Sequence, residues 1–525
     1  MNENILKFFL SKGFLLDKEM LDFFSELKDD EIADKIASKI KMISGEKLIT
    51  KHLINNNFDK LKQVFTELDK NKKRLVEKYF VNISVSVEVK KETSIENKEV
   101  TKSEDFGDIL RGSVKILSSP ILSAQKLEAK DFIRYFRSRY NFLREIVQQR
   151  HELDNLISID KITGNKNFSL IGIVMNKIIT KNKNVILEVE DLTGSTKLLI
   201  TQNKEEIYKK SKEILMDDVV GFRCSGTKDF IYVNDVIYPD SFLRERHRLE
   251  DDIYCIFISD IHVGSGNFLE AQFNKFIEWL NGKDCDEKEK VVLRKIRYLF
   301  IVGDSIDGVG VYPGQEKFLK IKDIREQYVK LAEFLKKIPK HISIIHCPGQ
   351  HDSVRVAEPQ PPVGEDFAKP LHEIENLHLV SNPSLVEIGA RKDNPGIKVL
   401  MYHGASMHDL INNIEELRLS KAQTTPARVV KHFLLRRHLS PSHGESTYIP
   451  DAHEDSLVIR EVPDIIVTGD LHRADIDKYN GILIVCCSCW QSMTAFEEKV
   501  GNVPDLCKVP VVNLKTGEIK ILDFE

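Results

Sequence analysis

The sequence predicts a multidomain α+β chain in three parts: an N-terminal helical module, a short-stranded β-barrel and a two-layered α/β domain. A chain of 525 residues with 42% apolar content exceeds what a single core usually supports. Its hydrophobic period changes twice, from helical spacing to short strands near Phe168, and again after Asp251 to buried strands alternating with amphipathic helices. In that last part, five apolar runs each end in an acid, His or amide side chain.

Residues 1–80 read as short helices, with Leu6, Phe9 and Leu10, then Met20, Phe23, Phe24 and Leu27, and later Leu61, Val64, Phe65 and Leu68 at helical spacing. Residues 81–125 read as a charged flexible linker. Over 89–108 the side chains are mostly Lys, Glu, Ser, Thr and Asn, too polar to bury a core. Residues 126–250 open with a helix over 131–149, where Phe132, Tyr135, Phe136, Tyr140 and Leu143 share the turns with Arg134, Arg137, Arg139 and Arg144. A solvated basic face explains those arginines better than a nucleic-acid contact. Strand-length runs follow at 169–174, 185–189, 197–200, 219–224 and 231–233, separated by turn residues. Five short strands fit an OB-like Greek-key barrel, used either on nucleic acid or as a protein docking platform.

From 251 to 525 the rhythm is α/β. The run 253–258 ends at Asp260, 298–302 at Asp304, 342–345 leads to Gly349, Val399 leads to His403, and 465–467 ends at Asp470. The C-terminal edges of strands are where open α/β architectures gather their ligand sites.

Composition narrows the function class. Seventy-seven basic against 81 acidic residues leave a net charge of −4, so any nucleic-acid contact has to come from a local patch or a partner. Eight cysteines in a chain without a secretory signal point to a reducing, cytoplasmic setting. No uninterrupted apolar run of about 18 residues predicts a membrane span. Cys486 and Cys489 form a Cys-x-x-Cys that continues an apolar run, which reads as buried small hydrophobes rather than a zinc site.

The five segments are Asp260-Ile261-His262, Gly303-Asp304, Gly349-Gln350-His351-Asp352, His403-Gly404 and Gly469-Asp470-Leu471-His472. Singly, an Asp behind a strand is usually a cap or turn residue. Together they supply the carboxylate, imidazole and amide oxygen donors that hold hard-to-borderline divalent ions, Mn or Mg first, with Fe or Zn also compatible. Two ions sharing a carboxylate activate water and neutralise charge on a phosphoryl group. Asp304 is the candidate bridge. Asp260 and His262, two apart on a strand edge, point to one side. His351 is placed as the acid for the leaving oxygen, and Asp307 and Asp352 as groups that orient the ligands or the acid. Arg355, Arg436, Arg437 and the histidines 432, 438 and 443 are candidates to line a strand-binding groove, Arg355 foremost, and a solvated basic surface explains them equally well.

The order Asp-x-His, Gly-Asp, Gly-amide-His-Asp, His, Gly-x-x-His resembles the calcineurin-like metallophosphoesterases. The stretch 303–315, with 348–352 and 357–361, more specifically resembles the small, exonuclease subunits of archaeal family-D DNA polymerases. The resemblance implies one ion on Asp260, His262, Asp304 and His472, and a second on Asp304, Gln350, His403 and Asp470, with His351 as the acid. Gln350 stands where the family usually has Asn, and Asp470 where it usually has His. It also implies a large polymerising subunit as partner, DNA with a 3′ end as substrate, and 3′-to-5′ proofreading as activity. Two rival readings stay open: a scaffold that only stabilises the large subunit, and a stand-alone metallophosphatase.

Overall fold

In the computed structural model the chain divides into two units, Met1–Asp105 and Phe106–Glu525. The structure describes residues 2–16, 18–27, 30–43, 48–49, 54 and 112–525, apart from 123–125, 165, 392–393, 445 and 452–453. The helical spacing expected over Leu61–Leu68 and the polar stretch 89–108 lie outside the described residues.

The first unit contains helices Asn2–Ser11, Lys18–Leu27 and Asp30–Ile43, with the two-residue strands β1 (Leu15–Leu16) and β2 (Leu48–Ile49) paired in parallel. Phe9, Met20, Phe23, Phe24, Leu27, Ile36 and Ile40 are buried in its core, whereas Leu10 faces solvent.

In the second unit, β3 (Val114–Ser118) is followed by the helix Ala129–Val147 and a five-stranded closed barrel. Its strands β4 (Lys166–Ile179), β5 (Val185–Glu190), β6 (Ser195–Ile200), β7 (Val219–Thr227) and β8 (Phe230–Ile237) close in the order β4-β5-β6-β8-β7, with β6 and β8 parallel. Alternation explains the barrel interior: Val185, Leu187 and Val189 of β5 point in, and the residues between them do not. The helix Ala129–Val147 lays Tyr140, Leu143 and Val147 on Ile171, Ile173 and Val219 of the barrel wall. Arg134 and Arg137 on this helix are exposed, but Arg139 is buried in an ion pair with Asp455 at 2.7 Å.

The remaining chain forms two six-stranded sheets. The first runs β12-β11-β10-β9-β18-β19, using β9 (Tyr254–Ile258), β10 (Ile296–Val302), β11 (Ser343–Cys347), β12 (Leu377–Leu379), β18 (Lys508–Asn513) and β19 (Ile519–Asp523). The second runs β16-β17-β15-β14-β13-β3, using β13 (Ser384–Ile388), β14 (Ile397–Met401), β15 (Ile465–Thr468), β16 (Asp475–Tyr479) and β17 (Ile482–Cys486). Strands β9 to β12 pair in parallel, as do β14, β15 and β17.

Two expectations are corrected here. The domain is not two-layered: Phe257, Phe300 and Ile345 of one sheet share a core with Val386, Val399, Val467 and Val485 of the other. Helices Glu270–Leu280 and Ile324–Leu335 cover one outer face, and Met407–Asn413 and Pro426–Arg436 the other, giving four layers. Strands that are apolar on both faces require a covering layer on each side, and the second sheet supplies one of them. The linker reading of 81–125 also fails at its end, because Val114–Ser118 is an edge strand on β13, with Val114 and Ile116 opposite Ile388 and Val386.

All eight cysteines are unpaired, and Cys486, Cys487 and Cys489 are buried. Among the described residues no helix is long and apolar enough to cross a membrane.

Candidate metal centre

Five strand ends from the two sheets converge. Asp260 and His262 follow β9, Asp304 follows β10, Gln350 and His351 follow β11, His403 follows β14, and Asp470 and His472 follow β15. Leaving each strand requires an abrupt turn. Asp260, His262, Asp304, Asp470 and His472 all have left-handed backbone, with φ between 48° and 66°. Non-glycine residues rarely adopt this conformation, and its cost is borne where a site over-determines the backbone. Asp260 and His262 therefore converge through a left-handed turn rather than through the period of a strand, with Asp260 Oδ1 4.0 Å from His262 Nε2.

Two sets of ligand atoms result. In the first, the Nε2 atoms of His262 and His472 lie 3.3 Å apart, and Asp260 Oδ1 is 3.3 Å from the latter. In the second, His403 Nε2 lies 3.2 Å from Asp304 Oδ2, 3.9 Å from Asp260 Oδ1 and 3.9 Å from Asp470 Oδ1. Asp260 belongs to two compact groups, one with His262 and His472 and one with Asp304 and His403, and a third such group joins His262 to Asp307 and His351. Asp304 has one oxygen already engaged, since Oδ1 accepts the His351 amide at 2.8 Å.

The donor atoms fit divalent ions. Asp260 Oδ1, His403 Nε2, Gln350 Oε1 and Asp470 Oδ2 are buried and make no hydrogen bond, a costly arrangement that a cation relieves. Each imidazole is oriented through its far nitrogen: His262 Nδ1 by Asp307 at 3.1 Å, His472 Nδ1 by Glu497 at 2.8 Å, and His403 Nδ1 by the Val302 carbonyl at 2.7 Å. Such outer contacts fix the tautomer that leaves Nε2 free for a metal.

Charges within the cradle reinforce one another. Burial alone would push the Asp304 carboxyl up, yet His403 and His351 hold it well below the usual carboxylate range. Burial opposes charge on His403, but Asp304, Asp260 and Asp470 carry its pKa well above the ordinary value. His262 is raised against burial by Asp307, and His472 against burial by Cys489 and Asp260.

His351 sits at the rim, with one fifth of its side chain exposed and Nε2 4.0 Å from Asp304 Oδ2. Its Nδ1–H donates to the Asp307 carbonyl at 2.7 Å. That contact commits Nδ1 and leaves Nε2 as the ring atom facing the centre. Asp352 acts from behind, accepting the amides of Gly349 and Ser305 and thereby shaping the turn that carries His351.

The family of DNA polymerase alpha/epsilon B-subunits matches residues 255–476. A DNA polymerase II small subunit from Methanothermobacter thermautotrophicus is 37% identical over 398 residues, covering 76% of this chain and 80% of the relative. The protein of that name from Pyrococcus horikoshii is 33% identical, spanning 100% of this chain and 84% of its own length. The chain belongs to the DNA polymerase II small subunit family. A further small subunit, from Archaeoglobus fulgidus, is 32% identical over 95% of this chain and 93% of the relative.

Within this small subunit, the two positions that depart from the expected pattern touch each other: Gln350 Nε2 donates to Asp470 Oδ1 at 3.0 Å. Asp470 Oδ2 lies 3.7 Å from Nε2 of His408, a residue whose place in the sequence gives no sign of this role. Glu497 and Asn382 also escape a reading of the sequence, whereas Gln491 stands out in it only through the family resemblance. Gln491 Nε2 donates to Asp307 Oδ1 at 3.1 Å, and Asn382 Oδ1 accepts the His403 amide at 2.9 Å. Only Glu497 carries a legible local signal, as the fourth residue of the Thr-x-x-Glu capping box at 494–497.

The expected groove arginines are not free to bind a strand. Arg355 donates to the carbonyls of Leu122, Ala357 and Pro359 and pins the turn beside the centre. Arg436 pairs with Asp218 at 3.0 Å, Arg437 donates to the carbonyls of Ile459 and Arg460, and His438 bonds to Asp455. Of these side chains Arg436 joins the barrel to the two-sheet domain, through Asp218 and the Glu213 carbonyl, because a buried guanidinium needs several acceptors at once.

Proposed function

We propose that this chain is the 3′-to-5′ proofreading exonuclease subunit of a heterodimeric archaeal replicative DNA polymerase, paired with a large polymerising subunit. The observation that carries the reading is the convergence of five strand ends, four of which bring buried donor atoms without hydrogen-bond partners, with His351 at the rim. Family membership supports the partner, since the relatives are named small subunits of DNA polymerase II.

Two divalent cations, Mn or Mg foremost, would supply Lewis acidity and an activated water for attack on the terminal phosphodiester. Asp260, His262 and His472 would hold the first, and His403, Asp304, Gln350 and Asp470 the second. His351 gives its Nε2 proton to the departing 3′ oxygen, completing release of a mononucleotide. The barrel, whose strand order and closure suit an OB-like fold, serves as the platform for DNA or for the large subunit.

The test is release of mononucleotides from a 3′-labelled single strand by the purified protein with Mn, alone and with the large subunit. The Gln350–Asp470 contact favours one rival, a scaffold without nuclease activity, and ion-loaded heterodimer that releases no nucleotide would establish it. Hydrolysis of a generic phosphomonoester faster than DNA would favour a stand-alone phosphatase.

A further inference from the structure

The two ion positions differ in donor chemistry. The first presents two imidazole nitrogens, from His262 and His472, and the Asp260 carboxylate. The second presents one imidazole, from His403, beside the oxygens Asp304 Oδ2 and Asp470 Oδ1, with Gln350 bonded to the latter. Gln350 and Asp470 are linked. The Gln350 amide nitrogen is committed to Asp470 Oδ1 at 3.0 Å, which fixes the amide's orientation and leaves its buried carbonyl oxygen without a partner. Asp470 Oδ2, on a side chain one tenth exposed, accepts no hydrogen bond either. Imidazole suits Zn and Fe, whereas carboxylate and carbonyl oxygens suit Mn and Mg.

We propose that Gln350 and Asp470 act as a coupled pair that selects the ion at the second position, biasing it toward hard ions such as Mn while the first position keeps a borderline ion such as Zn. The amide holds the carboxylate in place with one of its groups and adds a second oxygen ligand with the other. Removing either residue therefore takes two oxygens away from productive geometry. The proposal rests on the two-ion reading above.

The full chain, stripped of metal, is given one equivalent of Zn and a large excess of Mn. Bound metals are counted by mass spectrometry, positions are read by anomalous scattering at the two absorption edges, and Mn is followed by electron paramagnetic resonance. Selection gives Zn at His262 and His472, Mn at His403 and Asp470, and the spectrum of isolated Mn. Asp470→His, and separately Gln350→Leu, should each cut the Mn preference of the second position by about tenfold, with a double variant no worse than the worse single one. Zn spread equally over both positions, with the spectrum of coupled Mn pairs, overturns the selection while leaving the two-ion reading standing. Retention of no ion overturns both.

Discussion

Glu497 accepts the Nδ1–H of His472 at 2.8 Å through one carboxylate oxygen, while the other takes the backbone and hydroxyl of Thr494 at 2.8 and 2.9 Å. A helix cap thus orients an imidazole of the candidate metal centre. Glu497→Gln keeps the shape but weakens the acceptor at His472, and outer partners of this kind are worth about 10–100-fold in metal affinity. Titration calorimetry with Mn should show weakening at the first position within that range, with the second unchanged. Unaltered affinity would mean that the contact serves only the cap.

In the proposed mechanism His351 donates a proton rather than holding an ion; its Nε2 lies 4.0 Å from Asp304 Oδ2 and its Nδ1 is anchored on the Asp307 carbonyl. His351→Ala should retain both ions and lower the rate of nucleotide release by about 10²–10⁴-fold. Loss of ions in this variant would instead make His351 a ligand.

Ion uptake should be strongly pH-dependent, and the sign follows from the raised values of His262, His403 and His472. An ordinary imidazole titrates near about 6.5 and is largely neutral at pH 7.5. These three keep their protons to higher pH, so a cation must displace them, and affinity falls as pH drops through the raised values. Calorimetry in buffers of different ionisation enthalpy should detect proton release on Mn binding at pH 7.5. Binding without proton release there would contradict the assigned ligands.

The site was legible because its donors follow continuous apolar runs, and a strand buried on both faces has little choice about where its chain emerges. What pairwise spacing could not convey was the second sheet. The runs ending at Asp304 and at His403 look alike, although they belong to opposite layers, and only the shared core of Phe300 and Val399 reveals the sandwich. The arginines at 355, 436 and 437 misled for a related reason: positive charge in a sequence carries no mark of whether backbone carbonyls will surround it. Supporting groups such as Glu497 and Asn382 come from segments remote in sequence, so nothing local tied them to the centre.

The buried pair Arg139–Asp455 should be a stability determinant. Both side chains are almost fully shielded, at 2% and 0% exposure, and Asp455 also bonds to His438 at 2.8 Å. Arg139→Met leaves that carboxylate without its main counter-charge and should cost about 3–5 kcal/mol, whereas Arg139→Met with Asp455→Leu should cost less than the single change. Denaturant unfolding of the three proteins checks the order. A single variant as stable as the parent would show that His438 suffices for Asp455.

Gly349 is where space, rather than charge, sets the centre. A Cβ there would overlap Asp304 Oδ1 and lie 2.6 Å from the Asp304 amide nitrogen and 2.7 Å from His403 Nε2. No rotamer of the new methyl group avoids this, because a Cβ position is fixed by the backbone. Either the β11 turn moves, displacing Gln350 and His351, or the Asp304 carboxylate leaves its position against His403. Overpacking of this kind costs about 1–3 kcal/mol, too little to unfold a domain held by a four-layer core. Gly349→Ala should therefore remain folded by circular dichroism, with a lower melting temperature, while losing the second ion in a metal count. A variant that keeps both ions would show that the turn yields without disturbing Asp304, and that the second position is less tightly built than these contacts imply.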